Sequence, residues 1–333
     1  MPSSKDVVTF QSHLVDHQRR HPEATGALSW ILISVSVSAK MIAAKIRRAR
    51  LEGVLGALEQ ENVQGEVQQK LDVMADRIMR HNVGEKEPVA IMGSEEEEEV
   101  HPLRLDTDGE RRYSVLFDPL DGSSNLDVCG AVGTIFSVLR HDRRAEDPEA
   151  AVLQPGTQQV AAGYVLYGSS TVFVYSAGDG VHVFELDPNV GTFFRVKENL
   201  RIPDSGKIYS LNEGNRKSFP KGYQDYLDWA QSNGYSSRYI GAMVADVHRT
   251  LLKGGVFMYP PTEKAPTGKL RLLYEVNPMS MLVEQAGGKS MSGTGRAMLV
   301  EPTALHQRVP VVMGSPDEVD RVLEFLGDDG ASG

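Results

Sequence analysis

The sequence predicts an α+β fold made of two fused, layered halves, and three observations point there. The chain has 333 residues, beyond the size at which one hydrophobic core usually stops growing, so two units are expected. Strand-like runs crowd the first half with few helices between them, whereas helix-like and strand-like segments alternate in the second. With 41% hydrophobic and 24% charged residues, the composition is that of an ordered globular chain rather than a disordered, collagenous or membrane one.

Taken in order, apolar Leu28, Ile31, Leu32, Val35, Ile42 and Ile46 recur at helical spacing across 27–58, and Thr25 and Gly26 stand where such a helix begins. A second helical pattern covers 66–81. After Pro88 the pattern turns strand-like: VAIMG at 89–93, YSVLF at 113–117, TIFSVLR at 134–140, VAAGYVLYG at 160–168, TVFVYS at 171–176 and VHVFELD at 181–187, mostly punctuated by Gly, Asp, Pro or Ser. Together they make one large sheet. Beyond it, helix-like segments at 222–232, 243–252, 277–286 and 316–326 alternate with short strands near 255–259 and 310–313. The texture changes near 190–200, so the halves are expected at 10–192 and 193–330. No internal repeat is present, and the biased stretches are the glutamates at 95–99 and the Gly/Asp/Ser tail after Leu326.

Composition also narrows the function. The apolar stretch 27–44 is interrupted by Ser34, Ser36, Ser38 and Lys40, which reads as a buried helix rather than a membrane span. Its flank through His21 lacks the apolar run of a secretory signal. The single Cys129 cannot form an internal disulfide and favours a reducing compartment, with the cytoplasm as the expected location. A net charge of −10 argues against nucleic acid as a partner. An acidic protein can still bind a small phosphorylated substrate when its carboxylates hold divalent cations, which reverse the local field.

The sharpest local signal is DPLDGSSN at 118–125, directly after the strand YSVLF. Pro119 stiffens the turn between two carboxylates, and Gly122 removes a side chain so that the N–H groups of Ser123 and Ser124 can approach an anion. Asp118 and Asp121 can then share cations with the phosphate those amides cradle. The same residue types build ordinary surface turns, so the octapeptide alone leaves that reading open. The run EEEEE at 95–99 also reads as a solvated loop for Glu97, Glu98 and Glu99, whereas Glu95 and Glu96 directly follow a strand and Ser94.

DPLDGSSN together with GTIF at 133–136 resembles the magnesium-dependent sugar and inositol phosphatases. GYVLYGSST at 163–171, KIYSLNEGN at 207–215, SRYIGAMVADVHRTLLKGG at 237–255, GKLRLLYEVNPM at 268–279, EQAGGK at 284–289 and HQRVPV at 306–311 narrow the choice. On these motifs, collinear from about Thr25 to about Phe325, the chain resembles the class I fructose-1,6-bisphosphatases. The resemblance implies a layered αβαβα fold of two stacked α/β halves, usually a homotetramer, with the metal and AMP sites in the first half and the sugar-phosphate site in the second. It implies hydrolysis of fructose 1,6-bisphosphate to fructose 6-phosphate and phosphate, with two or more magnesium or manganese ions per subunit, in gluconeogenesis or a carbon-fixation cycle.

Carried over residue by residue, the resemblance assigns Glu95, Asp118, Asp121 and Glu275, with the Leu120 carbonyl, to the metal shell. Magnesium favours such hard oxygen ligands, and carboxylates so close would otherwise repel one another and take up protons. Glu66 and Asp72 in GEVQQKLD fall on the family's mobile catalytic loop. Asp72 with Glu96 is implied to orient and deprotonate the attacking water, and Glu66 stands where the family more often has Asp. Without the resemblance, Asp72 is equally the exposed face of a helix. Asp121, Gly122, Ser123 and Ser124 are implied to meet substrate, with Asn212, Arg238, Tyr239, Tyr259 and Lys269 receiving the second phosphate and the sugar hydroxyls. Arg238 is expected to reach the site of a neighbouring subunit, and Asn215 stands where some relatives place a phosphate-binding tyrosine. An inhibitory AMP site is implied at Thr25, Gly26, Arg112, Tyr113 and Arg140, on a helix N-terminus suited to phosphate, although Ala27 replaces the usual acid there. The competing readings are a phosphatase acting on sedoheptulose 1,7-bisphosphate or inositol phosphates, and a non-catalytic sugar-phosphate or AMP sensor. GKLRLLYE, NEGN and Asn125 favour fructose bisphosphate, and oxygen donors at every ligand position argue against a mere sensor.

Overall fold

The computed structural model describes residues 7–20, 26–53, 55–61, 67–85, 88–103 and 112–327. The first half supplies α1 (Phe10–Arg19), α2 (Ala27–Arg48), the antiparallel pair β1 (Ala57–Glu61) and β2 (Val67–Gln69), and α3 (Lys70–Gly84). The strands β3 (Val89–Ser94), β4 (His101–Pro102), β5 (Tyr113–Asp121), β6 (Val132–Arg140), β7 (Gln159–Tyr167), β8 (Thr171–Ser176), β9 (Val181–Asp187) and β10 (Thr192–Leu200) follow. They form one eight-stranded sheet in the order β10-β9-β8-β7-β6-β5-β3-β4, in which β3 runs parallel to β5. The second half supplies β11 (Ile208–Ser210), α4 (Lys221–Ser232), β12 (Ser236–Ser237), α5 (Met243–Lys253), β13 (Val256–Tyr259) and β14 (Leu270–Arg271). After these come α6 (Asn277–Gln285), β15 (Lys289–Ser292), β16 (Gly295–Arg296), β17 (Arg308–Val309), β18 (Val311–Gly314) and α7 (Pro316–Leu326). A six-stranded mixed sheet joins β12-β11-β13-β18-β15-β16.

Alternation along strands buried on both faces decides how these pieces stack. In the large sheet Val115, Phe117, Phe136, Val138 and Phe173 point to one side, against Ile31, Leu32 and Val35 of α2 and Leu71, Ala75 and Met79 of α3. Ile135, Tyr164, Val172 and Val174 point to the other, against Val244 and Val247 of α5, Met279 and Leu282 of α6, and Phe257 and Met313 of the second sheet. The far face of that sheet, through Tyr209, Val256, Met258 and Val312, packs on Tyr226 and Leu227 of α4 and Val319 and Val322 of α7. The order is therefore αβαβα. Each large side chain buried this way contributes about 1.5–3 kcal/mol, and the core around α5 and α6 is shared by both sheets.

Periodicity does not announce α1 or β10. Most of α1 is polar and it buries only Phe10, His13 and Leu14. It is placed by Phe10, whose ring lies 4.9 Å from Phe173 and 5.0 Å from Phe184, and capped by Thr9, whose hydroxyl accepts the Ser12 N–H at 3.1 Å. β10 is an edge strand whose central residues are exposed, so alternation is weak, and it carries the first sheet to Leu200, past the expected division at 192–193. α2 ends at Arg48 rather than 58, with Lys45, Arg47 and Arg48 suiting the negative end of its dipole. α2 also corrects the reading of its own polarity: by length and composition it is long and apolar enough to cross a membrane. The serines do not interrupt it, because Ser34, Ser36 and Ser38 donate back to the carbonyls of Trp30, Ile33 and Ser34 at 2.9, 2.7 and 3.0 Å. Half of its most apolar stretch is buried inside the protein.

Candidate active site

β3 and β5 lie parallel and side by side, so both deliver their C-terminal ends to one edge. Glu95 follows β3, and its N–H donates to the Phe117 carbonyl at 3.0 Å, which sets it beside Asp118. Strict alternation would send Asp118 and Asp121 to opposite faces. The register against β6 shifts between them, and the Thr134 hydroxyl anchors the Pro119 carbonyl at 2.8 Å, so a bulge re-aims the second acid. Gly122 then turns with φ 74, and a Cβ there would stand 2.4 Å from the Ala242 side chain. Another acid comes from the second half: Glu275 lies in a single π-type turn, Leu272–Val276, between β14 and α6, a rare geometry frequent at functional sites. Carboxylate oxygens of Asp118, Asp121 and Glu275 fall within 4.8 Å of one another.

Crowding shows in the proton affinities of these acids. Burial, then neighbouring Glu95, Asp121 and Glu275, pushes the Asp118 carboxyl well above its ordinary range. Burial and Glu275 push Asp121 up to about 7, against the opposing pull of the Val244 and Met243 N–H groups. Arg271 relieves part of the repulsion. Itself buried, it pairs with Glu95 and lies 3.7 Å from Glu275, and its backbone N–H donates to Glu275 Oε2 at 2.6 Å. One guanidinium cannot balance Glu95, Asp118, Asp121 and Glu275 together, and divalent cations would neutralise the remainder. The donors are hard carboxylate oxygens, so the residues fit a metal of the magnesium or manganese type.

A cavity of about 690 Å³ opens over these acids. Its wall brings Glu95, Glu96, Asp118, Leu120, Asp121, Gly122, Ser123, Ser124 and Glu275 together with Asn212, Tyr239, Tyr259 and Lys269. An acidic edge of the first sheet thus faces polar and cationic groups of the second half. Burial pushes the Tyr239 hydroxyl up to about 12, which keeps it a neutral donor. Asn212 is fixed by its side-chain oxygen, which accepts the Gly214 N–H at 3.0 Å.

Two expected residues stand apart from this wall. Asp72, expected on a mobile loop, is buried in the first turn of α3, because the segment that carries it continues the pattern burying Leu71 and Ala75 against the large sheet. Arg238 is exposed, with Nη1 donating to the Ser237 carbonyl at 2.7 Å. Glu66 lies outside the described residues. The sequence reading leaves out Arg271 and Asp246, which also line the cavity. Arg271 has a legible signal in its spacing of four residues before Glu275 in GKLRLLYE; the signal for Asp246 is a lone acid on the apolar side of α5.

A second cavity, of about 390 Å³, lies at the start of α2. Gly26, Arg112, Tyr113 and Arg140 line it with His17, Gln18, Ala27 and Val160, while Thr25 lies outside the described residues. Strand register explains the convergence, since Tyr113 pairs with Arg140 across β5 and β6. Guanidiniums beside the N-terminus of a 22-residue helix make an arrangement suited to an anion. Among the described residues, one other group, His13, His182 and Glu198, is close enough to hold a cation. A guanidinium fills it instead, as Arg195 Nη1 donates to His13 Nδ1 at 3.1 Å and pairs with Glu198 at 3.0 Å.

Residues 8–198 match the family described as fructose-1-6-bisphosphatase, N-terminal domain, and residues 202–327 match its C-terminal domain. Among solved structures, the fold is similar to the fructose-1,6-bisphosphatase of Leishmania major in holo form, at 40% identity and a TM-score of 0.90, covering 96% of this chain and 98% of that one. The apo form of the Leishmania enzyme matches at 38% identity and a TM-score of 0.86, covering 96% and 99%. Its T-state matches at 38% and 0.86, covering 96% and 98%.

Proposed function

The chain belongs to the fructose-1,6-bisphosphatase family and hydrolyses fructose 1,6-bisphosphate, and from that premise we propose that it removes the 1-phosphate by metal-assisted in-line attack of water. The observation that carries this reading is the union, in one cavity, of an acidic cluster with Asn212, Tyr239, Tyr259 and Lys269. Magnesium or manganese, two or more ions per subunit, would supply charge neutralisation at the phosphoryl and leaving oxygens. Glu95, Asp118, Asp121, Glu275 and the Leu120 carbonyl would hold these ions.

The N–H groups of Ser123 and Ser124, freed by the turn at Gly122, cradle the reacting phosphate. Glu96, on the cavity wall, orients the water and takes its proton; the family resemblance assigns Asp72 and Glu66 to support it, and for Asp72 this requires its segment to leave the conformation that buries it in α3. The bond that forms joins the water oxygen to phosphorus; the bond that breaks joins phosphorus to the C1 oxygen, which takes a proton from solvent and leaves as the sugar hydroxyl, while Glu96 returns its own proton to solvent. Asn212, Tyr239, Tyr259 and Lys269 hold the 6-phosphate and sugar hydroxyls, so binding at the remote end aligns the reacting end. Arg238 reaches the 6-phosphate of a neighbouring subunit, consistent with its exposure.

AMP is the proposed occupant of the second cavity and inhibits weakly, because Ala27 lacks the acid usual at that position. A homotetramer is proposed on the apolar stripe that Trp30, Val37 and Met41 leave along one side of α2, at 62%, 38% and 43% exposure. Cytoplasmic location and a place in gluconeogenesis or a carbon-fixation cycle complete the reading. Phosphate release from fructose 1,6-bisphosphate, sedoheptulose 1,7-bisphosphate and inositol monophosphate, with and without magnesium, tests it. Release from the first that depends on magnesium is expected, and equal release in a chelator overturns the mechanism.

A further inference from the structure

Asp246 is a carboxylate of α5 with no exposed surface. Its oxygens accept the Ile240 N–H, at 3.1 Å to each, and the Gly241 N–H at 3.1 Å, together with Arg249 Nη2 at 2.9 Å. Gly241, at φ 85, lets the chain curl round the carboxylate, as successive backbone N–H groups do around an anion. The same Arg249 Nη2 donates to the Arg238 carbonyl at 2.8 Å. From the opposite side Asn125 Nδ2 donates to the Ile240 carbonyl at 3.3 Å, and Asp121 accepts the Val244 N–H at 2.8 Å. Residues 238–242 are thus clasped between α5 and the DGSSN turn. Tyr239 on this segment lines the chain's own cavity, while Arg238 beside it is exposed and off that wall.

We propose that Asp246 is a positioning residue for substrate binding in two sites at once: its own, through Tyr239, and a neighbouring subunit's, through Arg238. The second half of this statement rests on the proposed sharing of Arg238 between subunits. Asp246 acts through the segment it holds, because its oxygens are engaged by the backbone and Arg249. An asparagine there keeps the shape, sets an amide NH2 against a backbone N–H, and leaves Arg249 without its counter-charge. Arg249 Nε already has no hydrogen-bond partner in the interior, so that loss is not made good locally. A loosened segment weakens ground-state and transition-state binding alike, which is read as a rise in KM.

Asp246→Asn should raise KM for fructose 1,6-bisphosphate about tenfold, with kcat changed by less than about threefold; a fall in kcat at unchanged KM overturns the proposal. Arg249→Lys keeps a positive charge beside Asp246 but loses the guanidinium fork, and should raise KM about threefold. That variant decides the matter if Asp246→Asn does not fold, and an unchanged KM in it overturns the proposal. In assemblies mixed with Asp118→Asn chains, working metal sites lie only on the Asp246→Asn chains, yet they receive Arg238 from intact neighbours. Their KM should fall between those of the wild type and the Asp246→Asn enzyme. A KM equal to that of Asp246→Asn alone overturns the two-site part. Arg238→Ala mixed with Asp118→Asn is the control: if subunits exchange and no activity returns, the sharing of Arg238 fails, while the effect of Asp246 on its own site is still judged by the first measurement.

Discussion

Lowering the pH from about 8 to about 6 should weaken magnesium binding roughly tenfold through Asp121 alone. Burial and Glu275 push that carboxyl up to about 7, and the cation binds only the carboxylate. About nine-tenths of the sites are ionised at about pH 8 and about one-tenth at about pH 6, so proton and metal compete across this window. Asp118, also pushed up, steepens the slope. The sign in the metal-free protein follows from the same shift, because the folded-state value lies above the ordinary 3.8. Below about pH 4 folded and unfolded chains both hold the proton and Asp121 contributes nothing. From about pH 4 to about pH 7 only the folded chain holds it, so stability falls as pH rises, and above about pH 7 the penalty is complete, at most about 4 kcal/mol. Bound metal removes that penalty. Calorimetric titration with magnesium at both pH values, in buffers of different ionisation enthalpy, reads the affinity and the protons released; urea denaturation in a chelator reads the stability. Asp121→Asn has no proton to release and should flatten both slopes. A Kd that does not move between the two pH values, or equal slopes in wild type and Asp121→Asn, refutes the reasoning.

The other expectations are more local. Asp118→Asn should lower kcat by at least about a hundredfold with an unchanged circular dichroism spectrum; near-wild-type kcat at saturating magnesium removes it from the metal shell. Lys269→Ala should raise KM about tenfold and leave kcat nearly alone if, as proposed, it meets the non-reacting end of the sugar, and a loss of kcat at constant KM speaks against that role. Gly122→Ala should collapse kcat and lower stability by about 1–3 kcal/mol in urea denaturation, because its Cβ would meet Ala242 at 2.4 Å; full activity rejects the turn geometry. AMP should bind wild type in calorimetry and fail to bind Arg140→Ala. No heat with wild type overturns the nucleotide site, and binding without inhibition overturns only its coupling to catalysis.

How much of this was legible follows from what kind of signal each feature sends. β5 to β9 are runs of Val, Ile, Phe and Tyr buried on both faces and broken by Gly, Asp or Ser, so composition and punctuation suffice. β10 exposes Val196, Lys197, Glu198 and Asn199 in succession and sends no such signal. Glu95, Asp118 and Asp121 are visible as acids at strand ends, but their meeting with Glu275 depends on a register shift and a π-type turn, which no side-chain period encodes. Asp72 illustrates the limit of helical spacing: one pattern puts it inside or outside depending on which face of α3 packs against the sheet. Gly26, Arg112, Tyr113 and Arg140, proposed to receive a nucleotide, are grouped in the sequence only by family resemblance, and their convergence is a matter of strand pairing between Tyr113 and Arg140.

Asp118 and Asp121 belong to the first half and Glu275 to the second, so an ion held among them is also a fastener across the seam. Removing it should leave the interiors of both sheets undisturbed, because Phe136 and Met258 are fully buried by hydrocarbon neighbours on their own sides. The seam itself should loosen. Backbone amides at 118–122 and 272–276 should then exchange hydrogen with solvent faster in a chelator, while those at the strand centres keep their protection. Catalysis and the alignment of the two halves therefore draw on the same few carboxylates, and a metal-poor medium would slacken the joint as well as stop the chemistry.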